Sequence, residues 1–270
     1  MLRLWPNQLM VTLGATHIAL LYRSGITKKT LMQRELAVID QAEHAGQAAL
    51  QALARMLTEL ALPANTALHI GLSGDLVRYL VLPAATQGIA QSEKLAYAQA
   101  AFREVYGVEA LDWVVQCDNV APTKPAVCAA IPQTLLEALT ALAHAQQFKL
   151  VSVQPYFVHA FNRLRSSIKQ ASGVMVVAEH SRLLLANLQQ GVCTQLRVQT
   201  ITSQWQQQLQ ATLARSVLLD DSLNPVAYVY APIFPSYQPI AVTGWEIKPL
   251  RLPATSSQLA PPYAMLEVMT

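Results

Sequence analysis

Charged residues are scarce in this 270-residue chain, at 13% against 53% hydrophobic ones, and glycine is sparse too, with 10 in all. So apolar a composition excludes a disordered chain and implies a substantial core. No run of about 18 or more uninterrupted apolar residues occurs. The nearest, 48–62, is broken by Gln51, Arg55 and Glu59 and reads as an amphipathic helix. A direct membrane span is therefore not expected. The opening Met1-Leu2-Arg3-Leu4-Trp5-Pro6 is too short and lacks the small-residue pattern of a secretion signal, so the expected location is the cytoplasm.

Cysteine is limited to Cys117, Cys128 and Cys193, at spacings that fit neither a C-x-x-C pair nor a zinc ligand set. Each is expected to pack as a small apolar residue. The six histidines, 17, 44, 69, 144, 159 and 180, contain no H-E-x-x-H and no i, i+4 pair, so no metal site is expected. Net charge is only +3, with no dense basic run interleaved with aromatics, which argues against nucleic-acid binding. Arg23, Lys28, Lys29 and Arg34 come nearest to a basic patch, and Lys28 and Lys29 at a hairpin turn read as solvated charge.

Periodicity gives the organisation. Strands are predicted at 8–13, 18–22 and 31–38, then a helix over 41–62 with Leu50, Leu53, Leu57 and Leu60 at helical spacing, closed by Pro63. Leu68, Ile70 and Leu72 alternate before Gly74-Asp75 as a half-buried strand, completing βββαβ. The same order returns after Gly173: strands at 174–178, 183–188 and 192–201, a helix capped by Ser203 and carrying Trp205, Leu209 and Leu213, and a strand at 226–230. Between the two lies a further α/β section. Its first helix places Leu95, Ala98, Phe102 and Val105 on one face before Gly107; strands at 113–117 and 126–131, a helix over 133–147, a strand at 150–153 and a helix with Phe157, Phe161, Leu164 and Ile168 follow.

Two candidate sites dissolve on inspection. Gly71-Leu72-Ser73-Gly74 is not a nucleophile elbow, because G-x-S-x-G needs its second glycine where Asp75 stands, so a strand-ending turn is expected. Glu179-His180-Ser181 places an acid, an imidazole and a hydroxyl consecutively on a turn, whereas catalytic triads meet in space. Trp5, Trp113, Trp205 and Trp245, and the proline-rich 232–239 and Pro261-Pro262, are expected to pack against the body.

The two βββα halves, together with 77–83 (VRYLVLP) leading into a helix, 174–201 with Gly191 and Arg197, and 260–266 (APPYAML), resemble the PilM family. These are cytoplasmic assembly proteins of type IV pili, similar to the cytoplasmic part of the GspL component of type II secretion. The resemblance implies an α/β fold of duplicated actin-like, ribonuclease-H-like βββαβ halves: 1–172 with a small α/β insertion at about 75–131, and 173–270. Nucleotide-binding relatives carry an Asp-x-Gly on each hairpin and a Gly-Gly tract. Here stand Thr12-Leu13-Gly14, then Val176-Val177-Ala178-Glu179-His180, and Tyr230-Ala231-Pro232-Ile233-Phe234-Pro235. The magnesium-orienting carboxylate is missing, no glycine lets backbone amides approach a phosphate, and bulky residues take the adenosine space. No catalytic, cofactor-binding or metal-binding residues and no cofactor are expected.

What the resemblance implies is a non-catalytic adaptor that binds a membrane-anchored pilus or secretion assembly protein through a short cytoplasmic segment. It would be cytoplasmic, peripheral at the inner membrane through that partner, with homo-oligomerisation left open. The alternative is an actin-like ATPase in which Glu179 or Asp75 substitutes as a magnesium ligand. The candidate groove lies in the insertion between Asp75 and Ile131, since added segments on a shared core carry what distinguishes relatives.

Overall fold

The computed structural model describes residues 6–38, 45–84, 90–121, 123–168, 172–219, 224–234, 241–252 and 259–270, leaving aside the side chains of 45, 91 and 217–219. Trp5, the predicted helix start at 41–44 and the prolines at 235–239 lie outside them. The elements run β1 (Gln8–Leu13), β2 (His17–Arg23), β3 (Thr30–Ala37), α1 (Ala45–Leu60), β4 (Ala67–Leu72), β5 (Arg78–Leu82), α2 (Gln91–Tyr106), β6 (Trp113–Cys117), β7 (Ala126–Pro132), α3 (Gln133–Ala145), β8 (Lys149–Pro155) and α4 (Tyr156–Leu164). There follow β9 (Gly173–Ala178), β10 (Arg182–Gln189), β11 (Val192–Thr200), α5 (Trp205–Leu219), β12 (Val226–Tyr230) and β13 (Glu246–Pro249). Short 3-10 helices span Gly107–Asp112, Arg165–Ser167 and Pro261–Met269.

Packing groups the chain into two compact units that interleave along the sequence. One holds Met1–Leu76, Thr134–Ala160 and Leu252–Thr270; the other holds Val77–Gln133 and Phe161–Arg251. The insertion thus shares a unit with 161–251, and the C-terminal segment joins the first.

In the first unit the sheet order is β3-β2-β1-β4-β8. Its first three strands form an antiparallel meander, while β4 runs parallel to β1 and β8 parallel to β4. β1 is fully buried from Leu9 to Leu13, as a central strand covered on both faces should be. The final 3-10 helix supplies one cover: Leu266 packs with Met10, Ala19 and Leu21. A Cβ at Gly71 would stand 3.0 Å from the Met269 sulfur, so that helix lies close across β4 at the glycine.

The second unit repeats the plan. Its sheet order is β11-β10-β9-β12-β13, with two antiparallel pairs followed by two parallel ones. Trp205, Leu209 and Leu213 of α5 pack on Val174, Val176 and Ala178 of β9, and the Trp245 indole N–H donates to the Leu213 carbonyl at 3.1 Å. The duplicated order expected from periodicity is therefore observed, each sheet gaining a further parallel strand. β13 had no signal in the sequence, being four residues long and of mixed polarity.

Also in the second unit, β5, β7 and β6 form a separate antiparallel sheet covered by α2. Three expectations require correction. Cys117 and Cys128 do not pack as independent thiols but form a disulfide. They face each other directly across β6 and β7, while the neighbouring Asp118 N–H donates to the Val127 carbonyl at 2.9 Å; the cysteines thus occupy the closer-spaced, non-hydrogen-bonded position. Cys193 does behave as expected, burial pushing its thiol up to about 12. Ahead of α5 it is the Thr202 hydroxyl, not that of Ser203, that is engaged, accepting from the Gln204 N–H at 3.3 Å as a local turn bond rather than a cap on the helical amides. The third correction, Val105, concerns the functional surface.

Three partly buried histidines of the first unit carry a pH dependence. Burial lowers the pKa of His17, His69 and His159; Glu35, 3.0 Å from His17, offsets this only in part, and the charge of His69 lowers His159 further. A depressed imidazole pKa means that the unfolded chain takes up protons first as pH falls below the ordinary value of about 6.5. Stability is thus fully present above that pH and is lost as pH descends through the folded values. Melting temperature is expected to fall between pH 7.5 and 5.5, and less so in His159→Gln; a flat or rising profile would contradict this reading of the buried histidines.

Candidate functional site

The hairpin turn between β1 and β2 is where an actin-like protein would meet phosphate. In this chain it is closed by its own groups. The Gly14 N–H donates to the His17 carbonyl at 2.9 Å, and the Ala15 N–H donates to Oδ2 of Asp75 at 3.0 Å. Asp75 is buried, held just beyond β4 by a turn in which the Leu76 N–H donates to the Ser73 carbonyl at 3.0 Å. That turn sits close: a Cβ on Gly14 would stand 3.2 Å from the Ser73 Cβ and 3.3 Å from the His17 carbonyl oxygen, so any larger residue would crowd the approach. Thr12 is buried, and its hydroxyl points across the ladder to the Ala19 carbonyl at 3.5 Å. An amide that could have faced an anion is therefore occupied by an internal carboxylate. A phosphate would meet like charge there.

The corresponding turn between β9 and β10 carries Glu179, fully buried, with its N–H donating to the Arg182 carbonyl at 2.8 Å. Past β12, Pro232 begins a turn closed by the Phe234 N–H on the Ala231 carbonyl at 3.1 Å, and the Phe234 ring stacks on Trp205 at 5.0 Å. His180 and Ser181 remain on the hairpin turn, and Gly74 lies in a strand-ending turn as expected. His69 and His159, distant in sequence, are brought together, with Nδ1 of His69 3.0 Å from Oγ of Ser152. Among the described residues no group of three or more His, Cys, Asp or Glu side chains could hold a metal ion.

The insertion offers a different kind of surface. Ala98 and Phe102 of α2 are buried against the three-stranded sheet, and Phe102, Tyr106 and Trp113 form an aromatic cluster with ring centroids 5.1 to 6.2 Å apart. Lys94, buried despite its charge, ties the helix to the end of β6 by donating to the Asp118 carbonyl at 2.7 Å. Val105 was expected on this inner face, and it is 60% exposed: Tyr106 takes the last inward position. Gly107, at φ 71°, then redirects the backbone into the 3-10 helix, which turns Ala110 inward and leaves Val108 81% exposed.

Tyr97, Val105, Val108 and Leu111 consequently form an exposed apolar stretch within 15 residues of chain, accompanied by the exposed carboxylates of Glu104, Glu109 and Asp112. None of those carboxylates joins an ion pair among the described residues. Four exposed apolar side chains so near one another along the chain make this segment the candidate surface for a partner.

No protein-family model matches the chain, and no curated protein does. Solved structures do. The cytoplasmic domain of EpsL, an inner membrane component of the type II secretion system of Vibrio cholerae, matches with a TM-score of 0.61 at 12% identity, covering 97% of this chain and 94% of that one. A PilM-PilN type IV pilus biogenesis complex matches with a TM-score of 0.63 at 13% identity, covering 96% and 89%. A Bacteroides thetaiotaomicron protein with an actin-like ATPase fold gives 0.58 at 9% identity, covering 83% and 81%. The fold is the actin-like one. Its duplicated five-stranded sheets carry the resemblance read from the sequence, and the actin-like fold sets where a nucleotide would be sought: at the β1–β2 and β9–β10 turns, where Asp75 and Glu179 are buried.

Proposed function

We propose that this chain is a non-catalytic cytoplasmic adaptor in a type II secretion or type IV pilus assembly machine, docking a membrane-anchored partner on the outward face of α2 and the 3-10 helix after it. The observation that supports the role is the reciprocal coverage: nearly all of this chain and nearly all of the EpsL cytoplasmic domain share one fold, and the match to the PilM-PilN complex is of the same extent. Asp75 on the Ala15 amide supports the absence of turnover, since the first hairpin turn is then neutralised from within.

The chemistry of the exposed surface suits the partner. Segments flanking a membrane span on the cytoplasmic side are rich in Lys and Arg. Exposed apolar side chains accompanied by Glu104, Glu109 and Asp112 against the single cation Arg103 complement a basic, amphipathic segment of that kind. Among the described residues no helix is long and apolar enough to cross a membrane.

Affinity capture from detergent-solubilised membranes of cells expressing the chain and its gene neighbours tests the proposal. Recovery of a single-span protein, competed by a peptide from its cytoplasmic end, is the expected result. Recovery of none, with the chain indifferent to such peptides, would end the adaptor reading.

A further inference from the structure

β3 is the outermost strand of its sheet, and its outer edge is paired with no strand among the described residues. The ladder shows which backbone groups it offers. The Val38 N–H donates inward to the Thr16 carbonyl at 2.8 Å, so in the antiparallel register Leu36, Arg34 and Met32 also turn their backbone groups toward Ile18, Leu20 and Tyr22. Gln33, Glu35 and Ala37 therefore point their N–H and C=O groups outward, as a free row ready for another strand.

Natural edges are blunted by shortness, proline or bulges. β3 is eight residues long and has no proline, and its one register shift falls at its beginning, at Tyr22/Arg23, leaving 32–37 regular. Leu31 and Leu36 are exposed on it, 54% and 39%, and Ile26 in the adjoining turn is 81% exposed. Among the described residues the charge beside this edge is predominantly basic. Lys28, Lys29 and Arg34 are exposed and in no ion pair among the described residues, and they outnumber Glu35, the one carboxylate of β3, which lies 3.0 Å from the His17 imidazole.

We propose that the outer edge of β3 receives an extended, acidic and apolar segment of a second, soluble partner protein by strand addition. Backbone hydrogen bonds to Gln33, Glu35 and Ala37 supply the affinity, and the three cations select an acidic strand. Two copies of this chain pairing edge to edge would each bring the same three cations, and a Lys/Arg-rich juxtamembrane segment would be repelled, which separates this surface from the one on α2. The inference goes beyond the adaptor reading and is tested without membranes, so either can fail alone.

The probe is a fluorescein-labelled decapeptide of alternating glutamate and valine, titrated with the full chain and followed by anisotropy, with the lysine–valine counterpart beside it. The acidic peptide is expected to bind at least about tenfold more tightly than the basic one, and to lose about tenfold on N-methylation of alternate amides. Gln33→Pro, which removes an outward N–H and spares the ladder to β2, is expected to weaken binding by about tenfold with the melting temperature nearly kept. Should that variant fail to fold, hydrogen exchange on the unaltered chain gives the same answer: bound peptide should slow the amides of Gln33, Glu35 and Ala37. Equal binding of both peptides, indifference to N-methylation, or no protection at those amides would overturn the proposal. So would dimerisation through this edge, or sedimentation with anionic phosphatidylglycerol vesicles, abolished by Lys28→Glu with Lys29→Glu, in the absence of peptide binding.

Discussion

Val105→Lys combined with Val108→Lys is expected to reduce capture of the membrane partner by roughly 100-fold while leaving the melting temperature within a degree or two. Two central apolar contacts at an interface are worth about 2–4 kcal/mol together, and each factor of ten is about 1.4 kcal/mol. The two side chains are 60% and 81% exposed in the free chain, so little folding energy rests on them. Lysine also replaces apolar surface with charge of the partner's own sign, beside a rim that owes its selectivity to Glu104, Glu109 and Asp112. Co-purification yields of the variant and the unaltered chain, compared after matched expression, give the answer. Undiminished capture by a folded variant would remove this face from the interface and leave the docking site elsewhere.

Phe102→Ala is expected to cost about 3–5 kcal/mol, a large fraction of the 5–15 kcal/mol that typically holds a domain together. The ring is 1% exposed and meets Tyr106 and Trp113, so its removal leaves a cavity that the flanking rings cannot collapse into without breaking their own contacts. The same ring anchors α2, which presents Val105 and leads into the 3-10 helix carrying Val108, so partner capture should fall with stability here, unlike in the surface variant. Urea denaturation checks the cost; a loss below about 1 kcal/mol would show that the aromatic cluster is not the anchor of α2.

The core strands and helices were legible because their signal is local. β1, β9 and β12 are short apolar runs bounded by turns, and α5 repeats Trp205, Leu209 and Leu213 along one face. What stayed hidden depends on tertiary pairing. The Cys117–Cys128 bond follows from a cross-strand register that eleven residues of spacing do not reveal. Val105 shares the helical period of Ala98 and Phe102, and periodicity alone does not show where the covering sheet stops. The assembly of His69, His159 and Ser152 joins β4, α4 and β8, which no sequence spacing announces. At the β1–β2 and β9–β10 turns, Thr12 and Glu179 were legible as departures from the motif that the resemblance implies. The bond from the Ala15 amide to Asp75 was not, because Asp75 comes 60 residues later and reads as a turn residue.

Calorimetric titration of the full chain with magnesium and ATP, together with an assay of released phosphate, tests the account most directly. With Asp75 seated on the Ala15 amide and Glu179 buried at the second turn, no saturable binding below about millimolar concentration and no phosphate release above a buffer blank are expected. Saturable binding in the low micromolar range, or sustained phosphate release, would contradict the account and establish the chain as an actin-like ATPase with substitute ligands.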